Sequence, residues 1–218
     1  MYFSSRMQAG RMLASQLKPK YRYENCAVVA LNNGGVMVGA QIASQLHCIL
    51  MMLLSEDIKI PQEPVPLAAI TQDGSFSFNE RYQPSEIDEL MMEYHGVVEQ
   101  EKFAQMDKIN QLIGAGGLMR KEFLKGHNVI LVADGLASGF MLDLAVEYLK
   151  PIAIDSIVVA VPLASVEAVD RMHVLADDIY CLSVVSDYIS TDHYYDKNDV
   201  PDEETAIKTI SQIILNWK

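Results

Sequence analysis

The segment Asn128-Val-Ile-Leu-Val-Ala-Asp134-Gly-Leu-Ala-Ser138-Gly139-Phe-Met-Leu-Asp143 constrains the fold more than any other. Val129 to Ala133 is a short apolar run rich in β-branched residues, the pattern of a strand buried on both faces in a parallel sheet. Asp134 stands where the run stops, and Gly135 and Gly139 bracket a small loop. Beyond Gly139, the residues Leu142, Ala145, Val146 and Leu149 take up helical spacing. Strand, acid, small-residue loop and helix together suit a phosphorylated sugar. N–H groups at a helix start point at a phosphate, and the helix dipole favours its charge. Glycine lets the backbone come close, and a carboxylate accepts hydrogen bonds from ribose hydroxyls. The same stretch also reads as a plain strand-to-helix turn, with Asp134 and Ser138 as loop and cap residues. Taken alone it does not separate the two readings.

A second copy of this plan lies upstream. Cys26 to Leu31 is an apolar run that stops at Asn32-Asn33-Gly34-Gly35, and a helix is predicted over Val36 to Leu46. Two glycine turns at the carboxyl ends of parallel strands would frame the crevice where open α/β sheets bind ligands. Further strands are predicted at His47–Leu54, Leu67–Thr71, Ala153–Val161 and Asp178–Val184. Helices are predicted at Ser4–Leu17, from Ser85 through Tyr94, over Val97–Ile113, at Ser165–Leu175 and at Asp202–Trp217. Lys18-Pro19-Lys20 is read as the end of the first helix and Pro162 as the end of a strand. The alternation predicts an α/β fold with a mostly parallel central sheet and helices on both faces. The expected organisation is a single domain over residues 1–218 with a helical and irregular insertion at about 72–125. Gly114 to Gly117 reads as a connector, or as a hinge or lid tip.

With 50% hydrophobic residues the chain can bury a sizeable core, and it has no apolar run long enough to span a bilayer. The N-terminus lacks signal-peptide features, so a cytoplasmic location is expected. The net charge of −12 argues against nucleic acid or an anionic membrane as partner. A phosphate ligand would then depend on local donors and a bound cation. Cys26, Cys48 and Cys181 are far apart and lie in or beside apolar runs, so buried free thiols are expected. The five histidines lack metal-ligand spacing, and no metal-ligating residue is assigned. Arg6 and Arg11 are read as surface salt-bridge partners of little energetic weight. Tyr188, Tyr194 and Tyr195 in a late polar loop either pack on the surface or stack on a flat ring.

With these segments in place the chain resembles the type I phosphoribosyltransferases, and within them the group called predicted phosphoribosyltransferases. The resemblance begins with Phe3-x-x-Arg6-x-x-Ala9-Gly10-x-x-Leu13-Ala14 and continues through Val28 to Val36. It then takes in Val129 to Gly139, Ile157 to Pro162, Tyr194-Tyr195 and Asp202-Glu-Glu204. It implies binding of 5-phosphoribosyl-1-pyrophosphate with Mg2+, and exchange of pyrophosphate for a nitrogen nucleophile through a cation-like transition state. Asp134 would be the catalytic-site acid that holds the ribose hydroxyls. Gly135, Leu136, Ala137, Ser138 and Gly139 would cradle the 5-phosphate, and Asn33, Gly34 and Gly35 would contact pyrophosphate. The partner implied is a small-molecule sugar phosphate, and the class is compatible with a homodimer.

The departures from the family pattern are chemical. The first of two adjacent acids is replaced by Ala133, the second hydroxyl of the phosphate loop by Met141, and the arginine before the paired glycines by Asn33. Each lost hydrogen bond to a charged group is worth about 1.5–3 kcal/mol. The expectation is a phosphoribosyltransferase-like protein that binds a ribose-phosphate or pyrophosphate ligand with transferase activity reduced or lost. The alternative is an active phosphoribosyltransferase using an unknown nitrogen acceptor. A Rossmann-type nucleotide binder is disfavoured, because no G-x-G-x-x-G follows the first strand.

Overall fold

A computed structural model describes residues 2–114 and 119–215. It divides into two compact units, Met1–Leu53 with Met119–Lys218, and Leu54–Leu118. The first unit is built on a five-stranded parallel sheet in the order β2-β1-β6-β7-β8. Its strands are β1 (Cys26–Ala30), β2 (Ile49–Met52), β6 (Asn128–Val132), β7 (Ser156–Ser165) and β8 (Asp178–Val185). Helices α1 (Arg6–Tyr21), α2 (Asn33–Leu46) and α6 (Glu203–Leu215) cover one face, and α4 (Phe140–Leu149) and α5 (Val166–Leu175) the other. β1 and β6 are buried along nearly their whole length, which is why they read as continuous apolar runs. This is the doubly covered, mostly parallel architecture that the alternation of segments predicts.

The order has one functional consequence. From β1 the chain steps to β2 on one side, whereas β6, β7 and β8 build outward on the other. The sheet therefore switches direction between β1 and β6, and in open α/β sheets ligands bind in the crevice outside the carboxyl ends of the strands at such a switch.

The second unit contains β3 (Ser55–Ile58), β4 (Ala68–Thr71) and β5 (Phe76–Phe78), an antiparallel sheet on which α3 (Pro84–Leu112) packs. The strand predicted at Leu67–Thr71 is β4, the middle strand of this separate sheet, with β3 and β5 on its two sides. The two helices expected after Pro84 are one helix kinked at Tyr94 (φ −109°, ψ 16°). The sequence offers Ser85 as its cap, but the cap is Gln83, two residues earlier, and Ser85 lies inside the first turn. Pro84 fills the first helical position, and the N–H of Gln83 donates to Glu86 Oε2 at 2.7 Å. Of the glycine cluster at 114–117, only Gly114 lies within the described residues, and Trp217 lies outside them.

Both proline boundaries are corrected. α1 runs past Pro19 to Tyr21, because the lost N–H falls in the last turn and the buried Tyr21 anchors that turn. β7 runs through Pro162 to Ser165. Its pairing with β6 ends at Val132–Ala160, so Pro162 lies beyond that neighbour while β8 pairing continues to Val185. Among the described residues, no helix is long and apolar enough to cross a membrane.

All three cysteines are free; Cys26 and Cys48 are buried and Cys181 is half-buried. Burial pushes the Cys26 thiol up to about 11 and the Cys48 thiol up to about 12. Thiolate is the reactive form. Cys26 and Cys48 will therefore resist a thiol reagent such as 5,5′-dithiobis(2-nitrobenzoate) at pH 8 in the native protein and react within minutes in guanidinium. Fast native labelling of both would contradict this packing.

Candidate functional site

The two glycine turns meet. Asn32 lies two residues past β1 and Asp134 two residues past β6, and the Asn32 side-chain amide donates to Asp134 Oδ1 at 2.9 Å. The other end of the same amide, Asn32 Oδ1, accepts from the backbone N–H of Gly35 at 2.6 Å and caps α2. For that reason α2 begins at Asn33, and Gly34 and Gly35 lie in its first turn rather than in an open loop.

Glycine is required at Gly34 by contact. A Cβ there would stand 2.0 Å from Asp134 Oδ2 and 2.9 Å from Arg6 Nε. At Gly35 it would stand 2.7 Å from Val132 O, and at Gly135 it would stand 2.6 Å from Tyr188 Oη. The paired glycines let helix α2 approach the acid at the end of β6.

The sequence alone makes Arg6 a surface cation, and the structure corrects this. Arg6 is fully buried at the junction of the two turns. Nε donates to Asp134 Oδ2 at 2.6 Å, Nη1 donates to Asp199 Oδ1 at 3.2 Å, and Nη2 is bonded to Asp192 Oδ1. The guanidinium carbon lies 4.4 Å from the Tyr195 ring centroid. Both oxygens of Asp134 are thus engaged, one by Arg6 and one by Asn32. Burial would lower the Arg6 pKa, but the field of Asp134 and three hydrogen bonds raise it above its ordinary value, so the charge stays. Burial raises the Asp134 carboxyl above the usual range, against the pull of Arg6 and Asn32.

The tyrosines serve packing. Tyr194 and Tyr195 are buried with Phe3, Ala9 and Leu163. The Tyr195 hydroxyl donates to the backbone oxygen of Asp134 at 2.6 Å, and Phe3 N–H donates to Tyr194 O at 2.9 Å. The late loop is thereby fastened to the N-terminus and to the rim of β6.

In the loop 135–139, the N–H of Leu136 donates to Leu163 O at 3.1 Å, and Ala137 O accepts from the Ser165 hydroxyl at 2.9 Å. The N–H groups of Ala137, Ser138 and Gly139 donate to no acceptor among the described residues. α4 begins immediately after them, and Gly139 provides no side-chain cap. Ala137 is exposed and Ser138 half-buried, so this short run combines free donors, the start of a helix and access to solvent.

Ala133 lies in the apolar core with Leu136 and Leu142, and Met141 packs against the same cluster. Ala133 is fully buried, whereas Met141 is half-buried. Asn33 Oδ1 is buried without a hydrogen-bond partner among the described residues. The described residues contain no group of three or more His, Cys, Asp and Glu able to hold a metal ion, and the Asp134 oxygens are already bonded. The residues at this rim therefore do not fit a protein-held Mg2+.

A parallel sheet of this order, with an acid and a glycine turn at the β1/β6 switch, has the architecture of the type I phosphoribosyltransferases. The family model for the phosphoribosyl transferase domain matches residues 4–198. The chain belongs to that family. It is similar to proteins named "Putative phosphoribosyl transferase Rv0571c" and "Putative phosphoribosyl transferase MT0597" from two strains of Mycobacterium tuberculosis. Each is 27% identical over 183 residues, covering 83% of this chain. The chain spans about two fifths of the length of these curated relatives, 40% in each case. Among solved structures it resembles TT1426 from Thermus thermophilus, with a TM-score of 0.71 and 26% identity, covering 97% of this chain and 99% of that one.

Gly34→Ala drives a methyl into the Arg6–Asp134 pair, and an overpacked core site costs about 1–3 kcal/mol. We expect a drop of that size in urea unfolding, with no drop for Gly96→Ala, where a Cβ meets nothing within 4 Å. Arg6→Met leaves Asp134 buried with one partner fewer, which costs about 3–5 kcal/mol. Equal unfolding midpoints for Arg6→Met and wild type would show that the pair does not hold the rim together.

Proposed function

We propose that this chain binds a ribose-phosphate or pyrophosphate-bearing ligand at the β1/β6 rim, with phosphoribosyl transfer reduced or lost. The observation that carries this reading is the division of labour at the rim. Among the described residues the donors at Ala137, Ser138 and Gly139 meet no acceptor at the start of α4, while both oxygens of Asp134 are bonded within the protein. The first group suits a phosphate. The second leaves the acid poorly placed to take up two ribose hydroxyls without giving up Arg6 or Asn32.

Transfer also needs stabilisation of a leaving pyrophosphate, which is chiefly electrostatic. Asn33 supplies no cation, and Ala133 supplies neither an acceptor nor a charge. Any magnesium then arrives with the pyrophosphate rather than on a protein site. The alternative, an active phosphoribosyltransferase with an unknown nitrogen acceptor, requires Asp134 to exchange partners on binding. Homodimer formation stays open as a proposal, since nothing in a single chain marks the pairing face.

Isothermal titration with ribose 5-phosphate, and with 5-phosphoribosyl-1-pyrophosphate plus magnesium, tests the reading. We expect saturable binding that Ala137→Asp abolishes, because a carboxylate placed among the loop donors occupies and repels. Ala137 is exposed, so this change leaves the core intact. Pyrophosphate release with any nucleobase should stay at least ~1,000-fold below the activity typical of enzymes, whose kcat is ~10 per second. Failure of both ligands to bind at millimolar concentration removes the reading, and robust turnover replaces it with the alternative.

A further inference from the structure

Arg6 holds more negative charge than it needs. Asp134 alone neutralises it, yet Asp192 and Asp199 are also on it, so one cation faces three carboxylates in a chain of net charge −12. The three acids differ in position. The Asp134 side chain is 6% exposed, whereas those of Asp199 and Asp192 are 26% and 52% exposed. Asp134 reaches Arg6 from inside the fold. The other two reach in from the surface and take the two terminal nitrogens, the fork that best matches an oxyanion.

The backbone that carries these acids is fixed independently of them. Between them, Tyr194 and Tyr195 are buried, Tyr194 O and Asp196 N–H bond to Phe3, and the Tyr195 hydroxyl bonds to Asp134 O. The two carboxylates can therefore swing into water without unfolding their loop. Their combined charge of two matches the roughly −1.5 to −2 carried by a phosphate monoester at neutral pH.

We infer that Arg6 is an anion receptor of the rim, and that the Asp192 and Asp199 carboxylates occupy it in place of a ligand's phosphate or pyrophosphate oxygens. The inference rests on the reading that the rim takes a phosphorylated ligand, and it adds a built-in competitor to that site. A ligand oxyanion takes Nη1 and Nη2 of Arg6, the two loop carboxylates move to solvent, and Nε keeps its bond to Asp134. Affinity is then set by the difference between two anions on one guanidinium. The wild-type site binds more weakly than its donors alone would allow.

The test is titration of the full chain with inorganic pyrophosphate and, separately, with ribose 5-phosphate. The variants are Asp192→Asn with Asp199→Asn, the charge-matched control Asp187→Asn with Asp196→Asn, and Arg6→Lys added to the first pair. Circular dichroism melts confirm the fold, and Asp192→Asn alone, at the more exposed acid, serves if the pair melts early. We expect the Asp192/Asp199 pair to bind pyrophosphate at least tenfold more tightly than wild type. The control pair should stay within about twofold, and Arg6→Lys, which lacks the fork, should lose most of the gain. Unchanged affinity in the Asp192/Asp199 pair overturns the inference, as does an equal gain in the control. If ribose 5-phosphate binds wild type while the Asp192/Asp199 pair gains nothing for pyrophosphate, the phosphate-loop reading stands and only the receptor role of Arg6 falls. If neither probe binds any variant, both fall.

Discussion

The bond from Arg6 to Asp134 is the contact on which the rim depends. It joins the first turn of α1 to the end of β6, and the remaining bonds of the same two side chains bring in β1 through Asn32 and the late loop through Asp192 and Asp199. A buried ion pair is poor evidence of net stabilisation, since desolvation can exceed the Coulombic gain. Its value here is geometric. Four segments distant in sequence must meet at one point, and a guanidinium with three directed donor nitrogens specifies that meeting more sharply than apolar contact would. Gly34 belongs to the same arrangement, because only a residue without a Cβ lets α2 start beside the acid.

The sheet is legible in the sequence because burial on both faces writes itself as unbroken apolar runs. Cys26–Ala30 and Asn128–Val132 carry little else. What is not legible depends on pairing partners that a sequence does not name. Pro162 reads as a strand end only if both neighbouring strands need its N–H; here β6 stops at Val132, two residues short of it in register. Asn32 and Asn33 look alike in sequence. Yet Asn32 caps α2 and bonds Asp134, while Asn33 begins the helix with its side-chain oxygen buried and without a partner among the described residues.

Arg6 is where sequence and structure part most consequentially. A lone arginine on the first turn of an amphipathic helix in an acidic chain looks like a solvated charge. Two signals point inward. It lies three residues after the buried Phe3 and three before the buried Ala9, on the stripe that continues through Gly10 and Leu13 to Leu17. It also has an acid within reach at the same rim, at the end of the strongest strand in the chain. A charge on the apolar stripe of a helix requires a buried partner of opposite sign, and Asp134 is the acid left at the end of a buried run.

The placement of Ala133 changes how the altered motif is understood. Had its methyl stood in the polar crevice, the change from carboxylate to methyl would be a simple deletion, reversible by restoring the acid. It lies instead among Leu136, Leu142 and other core residues, fully buried. A carboxylate there would be desolvated, and without a partner that is costly enough that a protein neutralises or moves such a group. The fold around β6 has therefore closed over this position, and the apolar packing of Met141 against the same cluster is part of that closure. Restoring the two-acid pattern would require repacking the start of α4 as well as changing one side chain.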